Sequence, residues 1–320
     1  MPFKTWLTES LGIRVPIVQG RHTDLAGMMW VGRAEMTSAI ANAGGLGFLT
    51  ALTQPSPDAL RAEISRCRSM TDKPFGVNIT MLPAMDAPDY LAYAKAAPIL
   101  EYLKSNSVIV IHKCVSLGHA LKAQAKGVDC ISIDGIECAG HGGEYDITSM
   151  ILLGRCAQEL KIPFIASGDF CDGKGLATAL VLGAQGIDMG TRWMCTIESP
   201  IHQNVKEAIV KMDENGTIFV LRKFRNTTRL ARNEVTLEVH RIENSKLAPQ
   251  FQEVAHLMSG ARGRGVYETG DIDAGVWSVG LVAGLIKSIP TCKELARTIE
   301  REAVEALSKA SSLYTNRASL

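Results

Sequence analysis

Residues Cys130–Glu144 read CISIDGIECAGHGGE. The first part, Cys130–Gly135, is a short β-branched run that ends in an acidic residue and a glycine, the pattern of a buried strand. The second part is a glycine-rich loop presenting His141 between Gly140 and Gly142. The same grammar, an apolar run closed by polar or small residues, recurs six times along the chain. It is found at Pro16–Gly20 (PIVQG), Leu46–Ala51 (LGFLTA), Phe75–Thr80 (FGVNIT), Val108–Lys113 (VIVIHK), Pro163–Gly168 (PFIASG) and Gly186–Thr191 (GIDMGT). Helix-period segments lie between them, at Arg33–Ala43, Pro57–Met70, Ser116–Lys126, Thr148–Leu160 and Gly173–Leu182. Strands that alternate with helices pair in parallel, because a parallel crossover needs a dozen or more residues. Their nearly continuous apolar character is that of strands buried on both faces.

Alternation alone fits an open doubly wound sheet or a closed barrel. The strand ends separate the two. Gln19-Gly20, Asn78 and Thr80, Lys113, Asp134-Gly135, Ser167-Gly168 and Gly190-Thr191 all sit at or near strand C-termini. Polar groups at nearly every strand end, and not at a single switch point, predict an α/β fold of the TIM-type (β/α)8 barrel class. The cluster Gly44-Gly45-Leu46-Gly47 follows a helix and precedes a strand, the reverse of a dinucleotide fingerprint. Only seven strands are legible, so the barrel reads as missing one. Beyond Thr191, Ile201–Met212 reads as a helix, Thr217–Phe224 as a strand, and Asn226–His240 as a polar, basic segment with helical spacing. Pro290–Ser312 reads as a long amphipathic helix. The expected division is a barrel over 1–197 and 265–320, with a small lid or substrate subdomain over 198–264 covering the C-terminal mouth.

Composition removes several classes of function. Hydrophobic residues make up 46% and charged residues 21%, a globular and not a disordered profile. A net charge of +1 gives no electrostatic footprint for nucleic acid or an anionic membrane. No run is long and apolar enough to span a bilayer, and Met1–Gly12 has no signal-peptide core, so a cytoplasmic, small-molecule enzyme is expected. The eight cysteines form no Cys-x-x-Cys pair. Reduced core thiols, with no metal site, are the expectation.

His141 is the leading catalytic candidate. Flanking glycines let the backbone approach a ligand closely, and an imidazole with an unperturbed pKa of about 6.5 can take a proton near neutrality. The bland alternative is a loop histidine with no role. His119, His202, His240 and His256 fall in helical patterns, where packed or solvated roles are expected. The pair Ser167-Gly168 and Gly190-Thr191 closes the last two strands, where barrels of this class commonly hold a phosphate on backbone N–H groups. Ordinary glycine turns are the alternative there.

The segments PIVQG, GMMWVGRAEM, NAGGLG, TDKPFGVNIT, VIHKC, SIDGIECAGHGGE, IPFIASGDFCDGKGL, LGAQGIDMGTRWM and GARGRGVYETGDIDAGVWS resemble the nitronate monooxygenases, also called 2-nitropropane dioxygenases, near the branch that includes NADH:quinone reductases. The resemblance implies non-covalent FMN and His141 as the catalytic base. It puts FMN contacts on Gly27, Met28, Met29, Thr80, Lys113, Asp134 and Ala139, with Ser167, Gly168, Gly190 and Thr191 around the phosphate. A cation at Lys113 near the flavin N1–O2 edge favours a reduced, anionic ring. The chain departs from the family in three places. Residues 21–26 are inserted between PIVQG and GMMWVG, Asp169 stands where the family has glycine, and a strand is absent between the third helix and the VIHK strand. The implied reaction is FMN-dependent oxidation of alkyl nitronates with dioxygen to a carbonyl compound and nitrite. The alternatives are an NAD(P)H:quinone reductase on the same scaffold, or a flavin-binding protein impaired by its incomplete barrel.

Overall fold

The computed structural model describes residues 3–20, 30–80, 99–168 and 170–313. Seven parallel strands follow in chain order: β1 (Ile17–Gln19), β2 (Gly47–Thr50), β3 (Phe75–Asn78), β4 (Ile111–Cys114), β5 (Cys130–Asp134), β6 (Phe164–Ser167) and β7 (Ile187–Met189). Five form one sheet in the order β1-β7-β6-β5-β4, and β2 pairs with β3. A parallel bridge between Val18 and Leu46 attaches the β2–β3 pair to β1. The Gln19 side chain accepts from Phe48 N at 2.8 Å, extending that attachment where the ladder ends. Apart from β3 and β4, each strand thus lies beside its sequence neighbours, and the last pairs with the first, as in the strand order of a (β/α) barrel.

Three of the helices between the strands start at side-chain caps that the sequence supplies. Ser56 caps Pro57–Met70, Ser116 caps Leu117–Ala125, and Asp172 caps Gly173–Val181. Thr291 and Glu294 form a capping box for Cys292–Ser312. That last helix lies directly on Gly173–Val181. A Cβ at Gly173 would stand 2.3 Å from the Glu302 Cβ, so glycine there sets the close approach. The main core fills the space between strands and helices, with Trp193, Trp277, Ile131, Ile133, Leu152 and Leu153 fully buried. No helix among the described residues is long and apolar enough to cross a membrane.

Among the described residues no ladder joins β3 to β4. The helix Ile99–Ser105 leads into β4, and between the two strands lies a cavity of about 530 Å³ lined by Phe48, Phe75, Val77, Leu103, Val110 and Ile111. The gap falls where the sequence reading expects the absent strand, and residues 81–98 of that stretch lie outside the described residues.

One expectation is corrected. Asn226–His240 is not a helix throughout: Thr228–Ala231 is β9, pairing antiparallel with β8 (Thr217–Val220). Leu221 and Arg225, both at positive φ, turn the chain between them. The helix begins only at Glu234, where Asn233 and Thr236 form a capping box. Helical spacing of the basic residues hid a short hairpin whose register is set by its turn and by the cap. The Gly- and Arg-rich stretch Gly260–Thr269 (GARGRGVYET) is a helix. The hairpin and the helix Glu234–Asn244 share their own apolar cluster, including Val220, Leu230, Val235, Val239 and Val254.

Glu243 is buried in this cluster's margin and accepts from Leu221 N at 2.5 Å. Burial raises its pKa, outweighing that hydrogen bond and the charges of His240, Lys223 and Arg222. A carboxyl whose folded pKa is raised stabilises most when protonated, and the contribution is lost as pH rises through the folded value. Glu243→Gln, which keeps an acceptor for Leu221, is expected to raise Tm by on the order of 1–4 °C at pH 7–8 and to leave it unchanged near pH 4. Thermal melts at the two pH values check this; an equal shift at both would refute the ionisation argument.

Candidate active site

The barrel interior near the strand ends carries a buried polar cluster. Lys113 on β4 and Ser132 on β5 are register partners, and Asp134 lies two residues further along on the same face of β5. Lys113 Nζ is 2.7 Å from Asp134 Oδ2, and the Asp134 side chain is fully buried. Ser132 Oγ donates to Asp188 Oδ2 at 3.0 Å, which brings β7 into the cluster. Burial pulls the Lys113 pKa down, but the negative groups Asp134, Cys138 and Asp188 prevail and raise it. Lys113 is therefore a held cation beneath the mouth and not a snorkelling surface lysine. Asp134, expected as a cofactor contact, is the group that holds it.

A second constellation forms where β5, β6 and β7 end. A Cβ built on Gly280 would lie 3.3 Å from Ala139 N, 3.4 Å from Gly168 O and 3.5 Å from Thr191 Oγ1. Gly280 N also donates to Thr191 Oγ1 at 2.9 Å. Gly168 has φ +105°, and a Cβ there would meet the Cys138 Cβ at 2.8 Å, so only glycine fits. Gly20 and Gly190 are in backbone contact, with Gly20 N donating to Met189 O at 2.7 Å. Ala139, Gly168, Gly190 and Thr191, which belong to three loops of the sequence, thus meet in one cluster of main-chain contacts around Gly280 and Gly20. Ser167 is buried on β6 in register with Asp134 and Asp188. Thr80 is buried just past β3, with Asn78 Nδ2 3.5 Å from its hydroxyl. Gly27, Met28, Met29 and Asp169 lie outside the described residues.

His141 is exposed on the loop after β5. That loop is tied down on both sides of it. Gly140 and Arg229 of β9 exchange backbone hydrogen bonds at 2.9 and 2.8 Å. Glu144 accepts from Thr227 N at 2.8 Å, and Asp146 pairs with Arg222 at 2.9 Å. The imidazole is presented on a fixed backbone between barrel and hairpin. Glu137 supports the same loop by capping Ser149 N, at 3.0 Å, at the start of the helix Ser149–Glu159.

Sequence reading missed Gly280, Arg229 and Glu137. Gly280 had a visible signal in the glycine-rich GVWSVG, but its partners are set by tertiary packing alone. The eight cysteines are all buried and none is in a disulfide. Burial pushes the thiols of Cys114 and Cys195 up to about 12, which removes them as nucleophiles near neutrality. Among the described residues no His, Cys, Asp and Glu group is placed to hold a metal.

Lys113→Met leaves Asp134 buried without its cation, which is expected to cost about 3–5 kcal/mol of stability, read by urea unfolding. Adding Asp134→Asn should restore most of the loss. A double variant no more stable than the single one would show that the pair is not what holds this cluster.

Comparison with known proteins adds the family context. The sequence profile of the nitronate monooxygenases matches residues 4–102 and 91–302. The (3aS,4S,5R,7aS)-5-hydroxy-7a-methyl-1-oxo-octahydro-1H-indene-4-carboxyl-CoA dehydrogenase of Mycobacterium tuberculosis is 32% identical over 368 aligned positions, covering 98% of this chain and 99% of that protein. The nitronate monooxygenase of Paraburkholderia phytofirmans is 26% identical, covering 95% of this chain and 96% of that protein. The solved structure of FabK from Thermotoga maritima superposes with a TM-score of 0.85 at 30% identity, covering 98% of this chain and 100% of that one. The 368 aligned positions exceed the 320 residues here, so the mycobacterial protein has residues that this chain lacks. The two pieces of the profile match overlap at 91–102.

Proposed function

The chain belongs to the nitronate monooxygenase family of flavin-dependent oxidoreductases, and on that premise we propose that it binds FMN and oxidises alkyl nitronates with dioxygen. The observation that supports the reading is the meeting of Ala139, Gly168, Thr191 and Gly280, adjoined by Gly190, where three strands end. Main-chain surfaces without side chains suit the close approach of a phosphate and ring edge. Ser167, Gly168, Gly190 and Thr191 would hold the phosphate. Thr80, Lys113 and Ala139 would face the ring, with Gly27, Met28 and Met29 as further contacts. Bound FMN supplies the acceptor for electrons leaving the nitronate, which dioxygen then converts to a carbonyl compound and nitrite.

The protein's own tasks are positional. Asp134 fixes the Lys113 ammonium so that a positive charge lies under the mouth in every turnover. The loop bearing His141 is fixed by Gly140–Arg229 and Glu144–Thr227, so the imidazole meets substrate without a loop rearrangement. His141 takes the α-proton when the substrate arrives as a neutral nitroalkane. The hairpin and the segment around it, 198–264, act as the lid against which this loop is braced.

A second reading is supported by the 32% identity to a carboxyl-CoA dehydrogenase. A thioester, like a nitroalkane, is a carbon acid whose α-proton is loosened by a neighbouring electron-withdrawing group, so the same base serves. The experiment that separates the readings is aerobic turnover of propionate 3-nitronate beside oxidation of acyl-CoA thioesters and anaerobic NADH-to-quinone turnover. Nitrite release with nitronate supports the first; thioester or quinone turnover alone replaces it.

Two outcomes follow. Denaturation should release FMN, and an adenine-bearing flavin in the mass spectrum would contradict the mononucleotide reading. His141→Asn should reduce kcat/KM for a neutral nitroalkane by about 10²–10⁴-fold and affect the preformed nitronate far less. Equal losses on both substrates would make His141 a positioning residue.

A further inference from the structure

A second cavity, of about 330 Å³, lies at the rim of the barrel mouth between the segment Trp30–Arg33 and the helix Gly260–Thr269. Its place in the barrel is set by two contacts. Gly32 packs on the end of β2, where a Cβ would meet Thr50 Oγ1 at 2.4 Å. Tyr267 Oη accepts from Ser278 N at 3.2 Å, two residues before Gly280. The cavity is thus one layer of chain away from the strand-end cluster around Gly280.

The polar groups facing it are almost all donors. Trp30 Nε1 is buried and has no acceptor. His202 Nδ1 accepts from Asn204 N at 3.2 Å, which leaves Nε2 as the N–H donor of that ring. Arg33 is exposed and forms no ion pair among the described residues. Arg264 lies over the Trp30 ring at 4.6 Å, and its Nε is paired with Glu268, the one carboxylate lining the cavity, at 2.6 Å. Two arginines against one carboxylate leave a positive balance. Donors in surplus over acceptors, set beside the rings of Trp30 and Tyr267, describe a site for a ligand that is anionic at one end and flat at the other.

We propose that this cavity binds the adenosine diphosphate moiety of a long substrate or reductant, so that the reactive end reaches the barrel mouth. The phosphates meet Arg33, His202 and Trp30 Nε1, and the base lies against the Trp30 and Tyr267 rings. A volume at the low end of ligand sites fits such a moiety and not a whole coenzyme. The inference rests on the oxidoreductase reading in placing the reactive end at the mouth. A coenzyme A thioester and a nicotinamide dinucleotide both carry this moiety.

The test is calorimetric titration of the flavin-loaded full-length protein with ADP. Saturable binding is expected, with Arg33→Met weakening it by at least about tenfold and Trp30→Phe by less, while Arg301→Met on the C-terminal helix changes nothing. Competition by coenzyme A alone assigns the tail to a thioester substrate, and competition by NADPH alone assigns it to a reductant. The proposal is overturned if millimolar ADP gives no saturable heat, if Arg33→Met and Trp30→Phe both bind like the parent, or if neither coenzyme competes. A protein that binds ADP yet turns over neither nitronate nor thioester removes the proposed reaction and leaves this site standing. Turnover without ADP binding does the reverse.

Discussion

Everything in this fold hangs on the pairing of its first strand with its last. β1 and β7 are about 170 residues apart in sequence, yet Ile17, Val18 and Gln19 are in parallel register with Ile187, Asp188 and Met189. Loop-closure entropy opposes such a contact, and only buried backbone hydrogen bonds and the core behind them repay it. Glycine makes the approach possible at both ends of the ladder. A Cβ at Gly186 would stand 2.3 Å from Pro16 O, and one at Gly20 would stand 2.8 Å from Gly190 Cα. Trp193, just after β7, donates its indole N–H to Val18 O at 3.1 Å and seals the junction. Remove that junction and the strand-end loops no longer face one another, so the main-chain cluster around Gly280 and the buried cation lose their common frame.

The fold was legible because its signal is local. Each parallel strand is a short apolar run, the helices Pro57–Met70, Leu117–Ala125 and Gly173–Val181 begin at Ser or Asp caps, and the alternation of strand and helix leaves few topologies. All seven runs formed strands, each trimmed by a residue or more, as at Val108–Lys113, where the ladder starts only at Ile111. What failed was the stretch after Thr191. There the hairpin β8–β9 is specified by two residues at positive φ, Leu221 and Arg225, neither a glycine, so no turn chemistry marked it. The helix Gly260–Thr269 was hidden for the opposite reason. Its glycines at 260, 263 and 265 disfavour a helix locally, and tertiary packing overrides them: Val266 and Tyr267 are buried.

The polar groups divide along the same line. Lys113, Asp134 and the glycines of the strand ends were visible because a polar or small residue at the end of an apolar strand is conspicuous. Their partnership was not. That Asp134 serves Lys113, and that Ser132 serves Asp188, depends on strand register, which single-sequence patterns leave open. Nor does sequence tell that the His141 loop is braced by Arg229, Thr227 and Arg222, residues some 80 positions away whose basic and polar character reads equally well as a solvated surface.

Among the described residues no ladder joins β3 to β4, and this bears unequally on the two halves of the proposed site. The strand-end cluster around Gly168, Gly190 and Thr191 is built on β6 and β7, which are paired on both sides and lie away from the cavity. Lys113 on β4 and Thr80 just past β3 lie at the strands that flank it. Lys113 is nevertheless held, because β4 keeps four register pairs with β5, and its ammonium is drawn to Asp134 on the paired side. The proposed phosphate side thus stands on strands paired on both sides, while the proposed ring side stands on strands that are paired on one side among the described residues. Phosphate anchoring and the choice of what is oxidised can vary separately on such a frame, since the two are supported by different strands.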